Sequence, residues 1–393
     1  MRRFMLDMRR GPSKTAAMPE FDVAVAGLGA MGSAALAACA DRGVRCAGFD
    51  RFAPPHALGA SSGKSRLIRQ AYFEDPCYVP LVLRAYELWR ELESRTGTRL
   101  LRQTGLLAAG PADGILLGGT LESARRFDLP VQCLDAAQVR RRYPQVQTRS
   151  GEAAVFEEAG GMLAPELAVR AQIDAARAAG AEIYFGAALE TWTADSAGVE
   201  LRFESGDTVR AKRLILALGP WARELLQKLG VAARVQRNVQ VWFSPASHAY
   251  DVAAFPAFLL ERGELPAILY GFPDAGDGVK AAFHGLGETT GAEHADRAIH
   301  PQTDVVPVAR ALESWMPGAA STFLEAKACL YTLTPDEHFV VDVHPEHPRA
   351  IVLGGFSGHG FKFAPVIGEI AAQLALDGGT PHPIARFSLR RFS

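Results

Sequence analysis

Cysteine is scarce in this chain of 393 residues: five are scattered along it, none of them in a Cys-x-x-Cys pair. That spacing excludes a disulfide framework and a structural zinc site, so no metal is expected, and it fits a reducing, cytoplasmic setting. No apolar run approaches the roughly 18 residues needed to cross a bilayer, which excludes a helical membrane span. Charge of one sign is lacking too, since 42 basic residues meet 43 acidic ones for a formal net charge of −1. Such a balance gives no electrostatic reason to expect nucleic acid or an anionic membrane, and a small molecule is the expected partner. There is no Gly-x-Ser-x-Gly elbow and no carboxylate pairing that points to hydrolysis. Internal repeats are absent as well.

What is present is ordinary for a soluble globular protein, with 48% apolar and 22% charged residues. The length suffices for two domains with sizeable cores. Residues 1–19 are basic and carry no apolar secretory segment; with Met18 as a second possible start, they are expected to form a disordered extension.

The first chemical signal is FDVAVAGLGAMGSAALAACADRGVRCAGFD, residues 21–50. An aliphatic strand leads through Gly27, Gly29 and Gly32 into an alanine-rich helix, and a second strand ends on Asp50. Glycines at this spacing allow a tight turn, close approach to a pyrophosphate and close helix packing, while the acid can accept from a ribose hydroxyl. Strand, helix, second strand and acid fall in the order that dinucleotide binding requires. The motif by itself is shared by FAD and NAD proteins.

The second signal is the stretch 327–363, KACLYTLTPDEHFVVDVHPEHPRAIVLGGFSGHGFKF. A buried strand there runs into a loop with Gly355, Gly358, His359, Gly360 and Lys362, which brings backbone amides and a cation toward an anionic or electron-rich ligand. Between the two signals, helices are expected at 78–97, 165–180, 305–315 and 365–376. Short alternating segments at 180–186, 198–205 and 207–213 suggest an antiparallel meander that leads into a strand at 214–219, ending on Gly219. Aromatic strands fill 234–330. The expected fold is α/β in two parts: a discontinuous Rossmann-type domain (20–100, 160–233 and 334–393) and a mixed or antiparallel substrate domain (101–159 and 234–333).

Arg66 and Arg69 follow the second strand in GASSGKSRLIRQAY, beside Ser61, Ser62 and Ser65. Arginine grips carboxylate or phosphate through paired hydrogen bonds, although a solvated basic loop is the simpler alternative. Lys280 and His284 share one side of a strand in GVKAAFHG. Taken alone, Lys280 reads as an exposed strand lysine; buried, it would be an electrostatic device beside a redox cofactor. Cys329 on local evidence is a small buried hydrophobe. His338, His344 and His347 lie near one another, but two prolines leave no fixed face for a metal.

In this order, AGLGAMG, PPH, SRLIRQAY, YVPLVLRAYELW, QTGLL, LYGFP, CLYTLTPDEHF and GFSGHGFKF resemble the monomeric sarcosine oxidase and N-methyltryptophan oxidase family, with pipecolate oxidases as near relatives. The resemblance covers nearly the whole chain from Phe21. It implies a glutathione-reductase-like FAD domain and oxidation of a secondary amino acid, N-methyl or cyclic, to its imine, with oxygen reduced to hydrogen peroxide by a monomeric enzyme. It further implies that Cys329 carries the flavin as a thioether, Lys280 activates oxygen and Arg66 lies close to the ring. Arg69 and Lys362 would hold the substrate carboxylate, with Tyr270, His284 and Tyr331 lining the amine pocket. The chain departs from the family at Ser61 and Ser62, where a histidine pair is usual, and at Ser65, where threonine is. The loop 261–266 looks longer than in sarcosine oxidases and is expected to reshape the pocket lip. Two other readings stay open: a dehydrogenase with a protein or quinone acceptor, and a flavin-binding protein without turnover.

Overall fold

The computed structural model describes residues 20–392, so the expected N-terminal extension lies outside the described residues. Strand Glu20–Ala26 pairs in parallel with Cys46–Asp50 on one side and Thr208–Leu216 on the other. Its aliphatic half is almost wholly buried, as a parallel strand covered on both faces requires. Ala350–Gly354 continues the sheet in parallel beyond Thr208–Leu216, and Glu182–Phe185 does so beyond Cys46–Asp50. Leu189–Ala194 and Val199–Phe203 add an antiparallel flank, and Val340–Val343 adds another.

Helices Ala30–Asp41, Pro165–Ala178 and Ala364–Asp377 pack together beside this sheet. The first and last cross so closely that a Cβ on Gly368 would lie 2.5 Å from the Ala34 carbonyl carbon. Small residues at such a crossing let the helix axes approach.

Two expectations for this region are corrected. Residues 207–213 and 214–219 are not separate strands but one strand, Thr208–Leu216. The basic residues in its middle do not break it, because Lys212 pairs with Asp22 at 2.7 Å and the Arg213 Nε donates to the Ala375 carbonyl at 3.0 Å. Residues 182–185 lie outside the meander, as a parallel neighbour of Cys46–Asp50.

The second sheet has nine strands, built around the long pair Arg234–Ser244 and Thr322–Leu333. It is antiparallel except where Ala257–Leu260 meets Leu106–Pro111. A three-stranded sheet of Arg66–Ile68, Gly161–Leu163 and Leu101–Gln103 completes the strands. Gly27, Gly219 and Gly355, which follow three parallel strands, line one cavity together with Tyr331 of the second sheet. Ligands of open parallel sheets bind at such carboxyl-end crevices.

Candidate active site

That cavity measures about 970 Å³ and runs from Asp50 and Gly29 past Ser61 and Arg66 to Gly358 and Gly360. Gly27 has φ +87°, and a Cβ there would lie 2.4 Å from the Ala217 carbonyl oxygen. At Gly32 a Cβ would lie 1.7 Å from the Gly27 oxygen, so only glycine allows this turn to close. Gly29 instead has open space before it, with Ser61 Oγ at 3.6 Å from its Cβ position. The N-terminus of helix Ala30–Asp41 thus faces the cavity, a position that favours an anion. Asp50 is buried and its two oxygens accept from the Leu28 and Phe52 amides at 2.6 and 2.8 Å. Burial raises its pKa, and these amides oppose the rise.

Across the cavity, Ser61 Oγ accepts from the Ala30 amide at 3.3 Å. The Arg66 guanidinium spans the same loop, donating to the carbonyls of Ala60 at 3.0 Å and Ser65 at 2.9 Å and to that of Ser62. Ser62 and Ser65 are buried and line neither this cavity nor the smaller one beside it, so their backbone rather than their hydroxyls serves the loop. Glu166 accepts the Gly63 amide at 2.6 Å and anchors the loop from helix Pro165–Ala178.

Lys280 lies behind this loop. It is 1% exposed, and its Nζ donates to the Gly63 and Ser65 carbonyls at 2.7 and 2.8 Å. The exposed-lysine expectation is overturned because strand Val279–Phe283 is internal to the second sheet and covered on both faces. Burial, then the nearby Arg66 charge, pushes the Lys280 ammonium well below the usual lysine range. Its side chain reaches neither cavity directly.

A smaller cavity of about 60 Å³ adjoins the first, sharing Arg66, Tyr331, Gly358 and Phe361 with it. Arg69, Glu74, Tyr270, His284, His359 and Lys362 also face it. Arg69 is 3% exposed and meets Glu74 through Nη2 at 2.6 Å, while its Nε and Nη1 have no partner. The solvated-loop alternative therefore fails for Arg69. Burial raises the Glu74 pKa, but Arg69 above all, with Lys362 adding, outweighs it and holds the carboxyl at about 2. Lys362 donates to the His359 carbonyl at 2.7 Å and the Tyr72 hydroxyl at 3.2 Å. Burial pushes the Lys362 ammonium well below its usual range, with Arg69 adding to the effect. His284 and Tyr331 pack at 5.9 Å between ring centroids. Burial lowers the pKa of His284 and raises those of Tyr270 and Tyr331, keeping all three neutral.

Cys329 is buried on the second-sheet strand Thr322–Leu333, on the same face as Tyr331, with its Sγ 3.7 Å from Arg66 Nη2. The three histidines part company: His338 joins the Tyr78 hydroxyl at 2.9 Å, while His344 and His347 pack on Trp192. Asp75, Cys77 and His338 bring three ligand-type atoms within 4.8 Å of one another, but the Arg386 guanidinium lies 3.0 Å from His338 Nε2 and opposes a cation there. The loop 261–266 lines neither cavity, contrary to expectation. Glu261 instead accepts the Leu116 amide at 2.9 Å, at the start of helix Ile115–Arg126, and Arg262 pairs with Glu152 at 2.6 Å. Both acid and base are spent on the scaffold.

Sequence reasoning missed Tyr72, Glu74, Glu166 and Gln240, the last of which lines the smaller cavity and accepts from Arg66 Nη1 at 3.4 Å. Tyr72 and Glu74 sit in QAYFE directly after Arg69, so a carboxylate close in sequence to the candidate anion-binding arginine was the available signal.

The donors fit a flavin dinucleotide on structural grounds: a glycine turn that no Cβ could enter, a helix start facing the cavity and a buried acid at its far end. Comparison with known proteins agrees. The chain is 41% identical over 384 residues to the monomeric sarcosine oxidase of Streptomyces avermitilis, covering 95% of this chain and 98% of that one. It is 36% identical over 375 residues to the N-methyl-L-tryptophan oxidase of Yersinia pestis, covering 95% and 100%. NikD, an unusual amino acid oxidase essential for nikkomycin biosynthesis, superposes with a TM-score of 0.82 at 25% identity, covering 94% of this chain and 97% of that one. Among the described residues no helix is long and apolar enough to cross a membrane. Since the FAD dependent oxidoreductase (DAO) family matches residues 22–374, the chain belongs to that family and is an FAD-dependent oxidoreductase.

Proposed function

We propose that the protein oxidises a small secondary amino acid, N-methyl or cyclic and typified by sarcosine, to its imine, with oxygen as electron acceptor and hydrogen peroxide as product. The observation that carries this reading is the small cavity beside the dinucleotide groove: it joins two cations, Arg69 and Lys362, to a neutral wall of Tyr270, His284 and Tyr331. The unpartnered nitrogens of Arg69 support a carboxylate ligand, since a buried donor without an acceptor is costly. Relatives named for the oxidation of N-methyl amino acids support the same substrate class.

FAD, when bound in this groove, would supply the two-electron redox chemistry that links oxidation of the carbon beside the amine to reduction of oxygen. Residues of this chain do the rest. Arg69 and Lys362 hold the carboxylate and so fix which C–H faces the cofactor groove. The apolar and neutral wall favours an uncharged amine, whose lone pair is needed to form the imine. Water then hydrolyses an N-methyl imine to the primary amino acid and formaldehyde. Arg66 and Lys280 place positive charge beside the groove, where it would stabilise negative charge developed during electron transfer. The flavin tether in this reading is Cys329, which lines neither cavity itself but whose Sγ lies 3.7 Å from the groove residue Arg66. Gly27, Gly29, Gly32 and Asp50 hold the dinucleotide, with Ser61, Gly219, Gly355, Gly358 and Gly360 along the groove and Ser62 and Ser65 shaping its loop through their backbone.

We further take residues 20–100, 160–233 and 334–393 as the FAD-binding part, and 101–159 and 234–333 as the substrate part, of a monomeric cytoplasmic enzyme. The five free cysteines support the reducing compartment. Peroxide release on addition of sarcosine, N-methyltryptophan, pipecolate or proline tests the proposal. Turnover of at least one is expected, and no peroxide with any of the four would reject it.

A further inference from the structure

We propose that Tyr72 is a positioning residue that sets the spacing of the two substrate-binding cations, and that His359 fixes its hydroxyl. The inference rests on the carboxylate role given above to Arg69 and Lys362. Tyr72 touches both cations. Its ring face lies under the Arg69 guanidinium at 4.0 Å, and its hydroxyl lies 3.2 Å from Lys362 Nζ.

The direction of each hydrogen bond can be read from the acceptors. His359 Nε2 lies 3.1 Å from the Glu337 carbonyl, which can only accept, so Nε2 carries the ring proton and Nδ1 is bare. Full burial, with Lys362 adding to the effect, keeps a second proton off this ring. Tyr72 Oη lies 2.7 Å from that bare Nδ1 and therefore gives its one hydrogen there; the His359 carbonyl, at 3.3 Å, is the poorer acceptor. The oxygen is left with lone pairs alone and accepts from Lys362. Lys362 thus donates to Tyr72 and to the His359 carbonyl, and a third N–H remains for the cavity it lines. Each link polarises the next, which favours the ammonium over the amine despite its burial.

The far end of this chain of bonds is strained. Glu337 is a non-glycine residue at φ +58°, in the left-handed region, and this conformation presents its carbonyl to His359. Packing alone does not explain the hydroxyl. Tyr72 is wholly buried among the Tyr78, Phe363 and His359 rings, where phenylalanine would fill nearly the same space.

The test uses the purified holoenzyme with acetate as a competitive carboxylate probe and dimethylamine as a probe without one. Tyr72→Phe is expected to weaken acetate binding about tenfold and raise KM for the amino acid by a similar factor, as loss of a charge-assisted hydrogen bond implies. Its saturated rate and its dimethylamine affinity should change little. His359→Gln, which removes the ring acceptor, should act in the same direction and serves if Tyr72→Phe does not fold. Acetate binding unchanged in both variants, yet weakened in Lys362→Gln, would overturn this inference alone. Acetate binding unchanged in Lys362→Gln as well would overturn the carboxylate reading on which it stands.

Discussion

Arg69 gives a single nitrogen to both oxygens of Glu74, at 2.6 Å each, and keeps two other nitrogens buried without partners. Glu74 is thus the counter-ion of the buried Arg69 guanidinium. Breaking such a pair leaves a buried charge uncompensated, at a cost of about 3 kcal/mol. Glu74→Gln is expected to lower the melting temperature, and a saturating carboxylate ligand should restore part of the loss by supplying the missing anion. Thermal unfolding with and without acetate measures both effects.

Acid should destabilise the protein in two stages. His359 titrates near 6.5 when unfolded, but burial first, then Lys362 and His284, lower it to about 3 in the fold. The unfolded state therefore binds the extra proton, so stability is complete above pH 6.5 and falls as pH drops toward about 3. Glu74 continues the loss, since its carboxyl is held at about 2 against an ordinary 4.5 and its contribution fades between those values as pH falls. Unfolding free energy measured from pH 7 to 3 should decline, and in His359→Gln the upper part of the slope should flatten.

Lys280 is a buried basic residue whose Nζ donates to two carbonyls of the loop that carries Arg66. Lys280→Met keeps the length and removes the basic nitrogen. Stopped-flow mixing is expected to show flavin reoxidation by air slowed at least tenfold, with reduction by substrate changed far less. Equal slowing of both steps would favour a dehydrogenase with another acceptor. The variant should also lose about 1–3 kcal/mol of stability, because the Gly63 and Ser65 carbonyls lose their donor.

A covalent tether at Cys329 predicts that the yellow colour stays with the acid-precipitated chain. Cys329→Ala should release it into the supernatant. Colour retained by that variant would assign the tether elsewhere.

Much of the dinucleotide groove was legible because its chemistry is local. Gly27, Gly32 and Asp50 act within one strand–helix–strand unit, and each close contact there follows from the absence of a Cβ. Lys280 was not legible as a buried group, because its burial depends on sheet neighbours far away in sequence, such as Trp242 at 5.2 Å. Tyr72 escaped notice for the same reason: its polar partner Lys362 stands 290 residues away. The loop 261–266 misled because length alone does not say where a loop is pinned, and Glu261 ties it to a helix start away from the pocket.

The most direct test is an anaerobic titration of the purified enzyme with sarcosine, followed by readmission of air. The account predicts that the flavin absorbance bleaches, returns on aeration, and leaves one hydrogen peroxide and one formaldehyde for each amine consumed. Absorbance that fails to bleach with sarcosine, N-methyltryptophan, pipecolate or proline would contradict it.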